Sequence, residues 1–396
     1  MSLNFQQVKE QVRLLGENAP QHAQHLLELR QQANDLLEHN ARDLARLRNK
    51  VESARQQDPA LRCALPLEGP SAEPLDAPYP LPPLPEQATL IAADGSQINP
   101  DRHAAVNYCL INTGAIRMRH GSSEPPQPFT QCHLLYDEQL YTATGTLTDE
   151  SVALMRDLNE RRYLVEFAEQ AVPPVITFTD GPMELWGAKD EGGEAGFRKH
   201  MEDYRAALFK LRDLDVTTAG YVDKPGADLV VRLLEIAKTP DDSLQNIRKQ
   251  RPLRGVTDTD LYRHRLAVGE RSAIFAIQSR SVEDYPGDLA LRFFYLNVGL
   301  PGDPWLARIE VPAWVAGDAE KLNNLHAVLI NQCRIMGGRP YPYLLHRAHE
   351  TAVVSLDEKE QLTRMILVEL QKRGVIVGRE SYKQALKLTS KRRRPR

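Results

Sequence analysis

The chain has 396 residues, with 50 Lys and Arg against 53 Asp and Glu and a formal net charge of −3, so it can bury more than one core and is not a uniformly basic nucleic-acid binder. Its 42% hydrophobic and 26% charged residues are an ordinary balance for a water-soluble protein. No apolar run approaches the ~20 residues of a membrane-spanning helix, and the start, MSLNFQQVKEQ, lacks a signal-peptide core, which predicts a cytoplasmic protein with no membrane segment.

Residues 1–64 predict amphipathic helices. Leu14, Leu15, Leu26, Leu29, Leu36, Leu37, Leu44 and Leu47 recur at helical spacings among Gln, Glu and Arg. Pro20 is expected to break them into two pieces. Residues 65–87 are too proline-dense for a helix or a central strand and read as an extended linker. The main domain is expected over residues 88–375, followed by a basic tail over 376–396 that ends KRRRPR. A second basic stretch, IRKQRPLR, spans 247–254. Each suits contact with phosphates and equally a solvated surface.

Within the main domain, residues 89–93 predict a short apolar strand ending at Asp94-Gly95-Ser96. Residues 106–119 predict a long strand, or a hairpin turning at Asn112-Thr113-Gly114, and residues 132–143 another strand. Thr148 caps a helix that Pro173-Pro174 terminate. A β-branched strand over 175–179 ends at Asp180-Gly181-Pro182, a helix covers 195–214, and a strand over 217–222 ends at Asp223-Lys224-Pro225. A β-rich stretch over 272–315 precedes a helix over 319–336, a Pro-marked loop, a helix through His349 and a last helix after Ser355, whose Ser-x-x-Glu pattern fits a capping box. This order predicts an α/β fold: a mixed sheet with flanking helices, plus an N-terminal helical segment and a helical C-terminal part.

Asp94 and Asp180 each end an apolar β run and precede a glycine. A strand end aims a carboxylate into a rim cleft, and the glycine lets the backbone turn beneath it. Asp-Gly is also a common turn marker, so the pair argues for a site where either alone would not. Phosphodiester hydrolysis needs carboxylates converging on ions roughly 4 Å apart, and oxygen ligands suit Mn²⁺ or Mg²⁺. On the intervening helix Glu160 shares a face with Leu164, Phe167 and Ala171, so it points at the sheet and is the third metal-ligand candidate. Asp157 is its nearest rival, Glu166 points elsewhere, and a salt bridge to Arg156 is the structural alternative. His349, three residues after His346, suits a metal ligand or a proton carrier, where a structural histidine is the plainer reading. Tyr341 is placed to hydrogen-bond a phosphate, and Lys224 to neutralise transition-state charge, against an ordinary exposed lysine.

There is no G-x-x-x-x-G-K-[ST] loop, no strand-linked G-x-G-x-x-G and no G-x-S-x-G elbow, and Ser96 has no evident His/Asp partners. Cys63, Cys109, Cys132 and Cys333 include no C-x-x-C pair, which argues against a zinc cluster or a disulfide framework.

The segments Ile91-Ala-Ala-Asp-Gly-Ser-Gln, Thr179-Asp-Gly-Pro, Gly220-Tyr-Val-Asp-Lys-Pro and Tyr341-Pro-Tyr-Leu-Leu-His-Arg-Ala-His349 resemble the NurA nuclease family in order and spacing, over roughly residues 85–355. The resemblance implies an RNase H-like core, Mn²⁺-dependent endo- and exonuclease activity on DNA, and a homodimer working with the hexameric translocase HerA on DNA ends. It implies Asp94, Asp180, Glu160 and His349 as metal-site residues, with Tyr341 and Lys224 as further catalytic residues. A non-catalytic adaptor of a DNA-translocating ATPase, docking through the N-terminal helices, is the rival of another class. An RNase H-like enzyme acting on RNA or hybrids is the second.

Overall fold

The computed structural model describes residues 3–142, 145–185 and 193–375; the basic tail lies outside them. The chain divides into two compact units, one of Met1–Pro83, Tyr221–Ile330 and Gly337–Pro340, the other of Leu84–Gly220, Asn331–Met336 and Tyr341–Arg396. In chain order come α1 (Phe5–Asn40), α2 (Leu44–Gln57) and β1 (Cys63–Pro66), then β2 (Ala88–Ile98), β3 (Cys109–His120) and β4 (Gln127–Leu135). A short hairpin β5 (Tyr141–Thr142) and β6 (Gly145–Thr146) leads to α3 (Asp149–Glu169), β7 (Val175–Asp180), α4 (Gly193–Asp213) and β8 (Thr217–Val222). After α5 (Leu229–Lys238) and α6 (Asp258–Tyr262) follow β9 (Phe275–Gln278), β10 (Leu291–Asn297), β11 (Leu306–Pro312), α7 (Ala313–Ala316) and α8 (Ala319–Ile335). The last helices are α9 (Tyr343–Ala352) and α10 (Leu356–Lys372).

In the first unit α1 continues through Pro20 instead of breaking there, and the helical run breaks between α1 and α2. Residues 11–20 are all exposed, so the carbonyl of Gly16, which the Pro20 ring crowds, can tilt outward to water. The proline-dense segment is extended but packed: β1 pairs with β9, Leu67 and Leu75 are buried, and Glu73 binds Arg271 at 2.8 Å. Its prolines are tolerated because β1 ends the antiparallel order β1-β9-β10-β11. Stacked Phe275 and Phe293 and the Tyr262–Tyr295 pair fill the core. Arg251, from the basic stretch, turns inward to the buried Glu235 at 2.8 Å.

The second unit has the strand order β8-β7-β2-β3-β4. β2, β3 and β4 form an antiparallel meander, and β7 joins β2 in parallel after the α3 crossover. This is the RNase H-like arrangement. β3 is one unbroken strand, with no hairpin at residues 112–114. β4 begins at Gln127, earlier than the expected 132, because Gly121 at φ +78° turns the chain straight back from β3. β2 also differs from expectation: it runs past Asp94 to Ile98 against β3, with Asp94 opposite Gly114 and Ser96 opposite Asn112. Its pairing with β7 stops at Ala93 and Thr179. Asp94 and Asp180 are thus the first residues past the point where the two parallel strands separate, and Gly181 at φ +89° turns β7 away.

Side chains alternate across a strand, so the sheet has a Gly95 face and an Asp94 face. α3 covers the Gly95 face; its cap Thr148 accepts from the Ser151 N–H at 3.2 Å, and Val152 packs on Cys109 and Ile111. α9 covers the Asp94 face, burying Leu344, Leu345, Ala348 and Ala352. It comes so close that a Cβ on Gly114 would stand 2.6 Å from the Ala352 nitrogen and 2.8 Å from the Ala348 oxygen. The Ser96 hydroxyl and Asn112 amide both donate to the Ala352 carbonyl, at 2.5 and 2.7 Å. α10 then packs Leu362 and Ile366 on Ile98, Tyr108 and Leu110. Among the described residues no helix is long and apolar enough to cross a membrane. Both atoms that a Gly114 side chain would meet are backbone, which cannot rotate aside, so Gly114→Ala should destabilise the protein by about 1–3 kcal/mol, read as a lower melting temperature.

Candidate active site

Asp94 accepts the Gly95 N–H at 2.8 Å on one carboxylate oxygen and His349 Nδ1 at 2.7 Å on the other. The histidine is the exposed partner, at 62% against 16%. Because α9 is pinned at Ala352, one turn away, His349 reaches Asp94 from that face of the sheet. Glu160 arrives from the opposite face. A Cβ on Gly95 would lie 2.9 Å from Glu160 Oε1 and closer still to Arg156 Cγ, so only glycine leaves the gap through which both reach the rim. Asp94, Gly95 and Ser96 therefore contribute three different things: a carboxylate, an opening and an anchor for α9.

These groups line one cleft of about 410 Å³ together with Asp157, Arg161, Thr179, Asp180, Glu184 and Tyr204. Arg161 is buried and donates to Thr179 Oγ1 at 2.6 Å and to the Tyr204 hydroxyl at 3.0 Å. Tyr204 in turn donates to the Met183 carbonyl at 2.9 Å. That chain of bonds clamps the turn following Asp180. Arg156 donates to Asp157 Oδ1 at 2.9 and 3.2 Å, and its Nε stands 3.6 Å from Glu160 Oε1.

Five carboxylates, from Asp94, Asp157, Glu160, Asp180 and Glu184, thus face two guanidiniums and a histidine. Burial raises the Glu160 carboxyl well above the ordinary carboxylate range, and the charges of Asp157 and Asp94 push it the same way; Arg156 and Arg161 oppose them. Clustered negative charge at the end of parallel strands, buried at Glu160 and Glu184 and open to solvent at Asp180, is what a divalent cation would relieve. The donors are hard oxygens plus one imidazole, which suit Mn²⁺ or Mg²⁺. Among the described residues no three acidic, His or Cys side chains stand at coordinating distance as a finished cage.

Of the sequence-derived candidates, Asp94, Glu160, Asp180 and His349 line this cleft; Tyr341 does not, and begins the turn before α9. Lys224 belongs to the first unit, with its Nζ 6.0 Å from the Trp305 ring. Glu166 is exposed, whereas Asp157 shares the cleft. Arg161, Glu184 and Tyr204 are cleft residues that the sequence reading does not single out. For Arg161 a charged residue next to Glu160 is the available signal; nothing in the sequence marks Tyr204.

A family model for the NurA domain matches residues 88–354. The chain belongs to the NurA nuclease family. The match spans every cleft residue, from Asp94 to His349. Among solved structures the chain is similar to the NurA nuclease from Sulfolobus solfataricus, at 12% identity and a TM-score of 0.47, covering 82% of this chain and 93% of that one. Endonuclease V from Ciona intestinalis, in complex with a 24mer DNA containing an inosine followed by a ribo-adenosine, matches at 7% identity and a TM-score of 0.30, covering 80% and 96%. LC9-RNase H1, a type 1 RNase H with the type 2 active-site motif, matches at 15% identity and a TM-score of 0.22, covering 38% and 67%. No curated protein matches the chain.

The raised Glu160 carboxyl has a consequence for stability in this NurA-family cleft. The folded state holds its proton to higher pH than the unfolded chain, so stability falls as pH rises above the ordinary value of 4.5. Glu160→Gln removes that penalty. Without metal, the variant should melt above the wild type at neutral pH, the gap closing as the pH falls towards about 4. A variant less stable than the wild type throughout would contradict this account of Glu160.

Proposed function

We propose that the chain is a divalent-metal-dependent DNA nuclease in which Asp94, Glu160 and Asp180 hold Mn²⁺ or Mg²⁺ and His349 completes the site. The observation that carries this reading is the convergence of acids from both sheet faces on one cleft, where β7 leaves β2, within a NurA-family domain. A bound divalent ion supplies polarisation of the scissile phosphate and activation of water. The protein's own part is orientation. The Gly95 N–H and His349 fix the Asp94 carboxylate, so it meets its ligand without reorganising. His349, mostly exposed on the cleft side, can pass a proton to the leaving oxygen. The Arg161 clamp holds the turn that carries Asp180.

Family membership supports the finer reading as well: endo- and exonucleolytic processing of DNA ends for repair, as a homodimer, with a HerA-type hexameric ATPase, in the cytoplasm. The deciding assay uses labelled single-stranded and duplex DNA with Mn²⁺ against an EDTA control, and ribose-containing substrates in parallel. Cleavage of DNA that EDTA abolishes is expected; cleavage confined to RNA or hybrids, or none at all, favours the RNase H-type or adaptor reading. Asp94→Ala should lower the rate at least about 10²-fold, about 3 kcal/mol of transition-state stabilisation, while the variant still folds and melts cooperatively. Full activity in that variant would sink the assignment.

A further inference from the structure

We propose that Arg156 is a resident counter-cation of the acid cluster, which a divalent ion must displace, so that this side chain sets how tightly the site takes metal. The inference rests on the metal-site reading above. Arg156 lies one helical turn before Glu160 on α3. Its guanidinium is bonded to Asp157 and lies beside Glu160, and its stem occupies the gap above Gly95 that the Glu160 carboxylate also enters. The positive charge therefore sits among three carboxylates, those of Asp157, Glu160 and Asp94, and is attracted to each; the last two are proposed metal ligands.

The two arginines of the cleft differ in freedom. Arg161 is buried and fixed to Thr179 and Tyr204. Arg156 keeps a third of its side chain exposed, and it is held through charge on a long, rotatable stem. A cation bound to Glu160 and Asp94 repels the guanidinium and takes over its ion pair with Glu160, leaving it hydrogen-bonded to Asp157 alone, so the exchange substitutes one positive charge for another. Arg156 then swings to the cleft mouth. Metal affinity is accordingly reduced by the free energy of the Arg156–carboxylate contacts that must be broken.

The test titrates MnCl₂ alone into the full chain by calorimetry, for wild type, Arg156→Gln, Arg156→Lys and Asp94→Asn. Removing the competing charge in Arg156→Gln should tighten Mn²⁺ binding about tenfold, whereas Arg156→Lys, which keeps it, should stay within about threefold of wild type. A thermal melt supplies the second readout: without metal Arg156→Gln should melt below wild type, and saturating Mn²⁺ should raise it by more. Unchanged or weaker Mn²⁺ binding in Arg156→Gln overturns the inference, since Arg156 would then be a surface pair or a support for the ligands. If wild type takes up no Mn²⁺ that Asp94→Asn abolishes, the metal-site reading fails, and the inference with it.

Discussion

The second unit is built around two missing side chains. At Gly95 and Gly114, on opposite faces of the same two-strand ladder, a Cβ would meet atoms of α3 or α9 at under 3 Å. Because neither is present, the two helices approach the sheet more closely than side-chain packing would otherwise allow, and each delivers a polar group to the rim. α3 brings Glu160 and α9 brings His349, while β2 itself holds Asp94 between them. Local sequence, close backbone approach and the composition of the cleft are here one causal chain.

That arrangement works against stability. Burying Glu160 near Asp157 and Asp94 is unfavourable for a charged carboxylate, and Arg156 and Arg161 offset only part of the penalty. The surroundings compensate through contacts that do no chemistry: two side chains capturing the Ala352 carbonyl, Arg161 bridging Thr179 and Tyr204, and α10 packed over Ile98 and Leu110. Strain of this kind, held in place by rigid neighbours, is how a site keeps charges poised for a ligand that neutralises them.

Much of the fold is legible in the sequence because period and punctuation are local. The strand over 217–222 and the Ser355 capping box appear where the pattern puts them. So does the burial of Glu160, which follows from the turn angle of a helix. What the pattern misses depends on partners. Asp94-Gly95 looks like a turn that ends β2, whereas β3 continues to pair with the strand to Ile98. Pro20 does not break α1 because its surroundings are solvent, and the proline-dense segment packs because a sheet edge is available to it. Arg161 and Tyr204 join the cleft across 43 residues of sequence, a contact that no local pattern encodes.

The five paired positions from Thr89 with Val175 to Ala93 with Thr179 have a consequence for length variation. They index Asp94 against Asp180 like teeth on two racks, whereas the loops joining the intervening elements are slack. Residues can be gained or lost around the short hairpin before α3 without moving either acid, because loop closure costs little per added residue. A single insertion within 89–93 or 175–179 is different. It would shift one carboxylate by a full step and turn it to the opposite side of the sheet. Related chains that keep this chemistry are therefore free to differ in loop length but not within these two short windows.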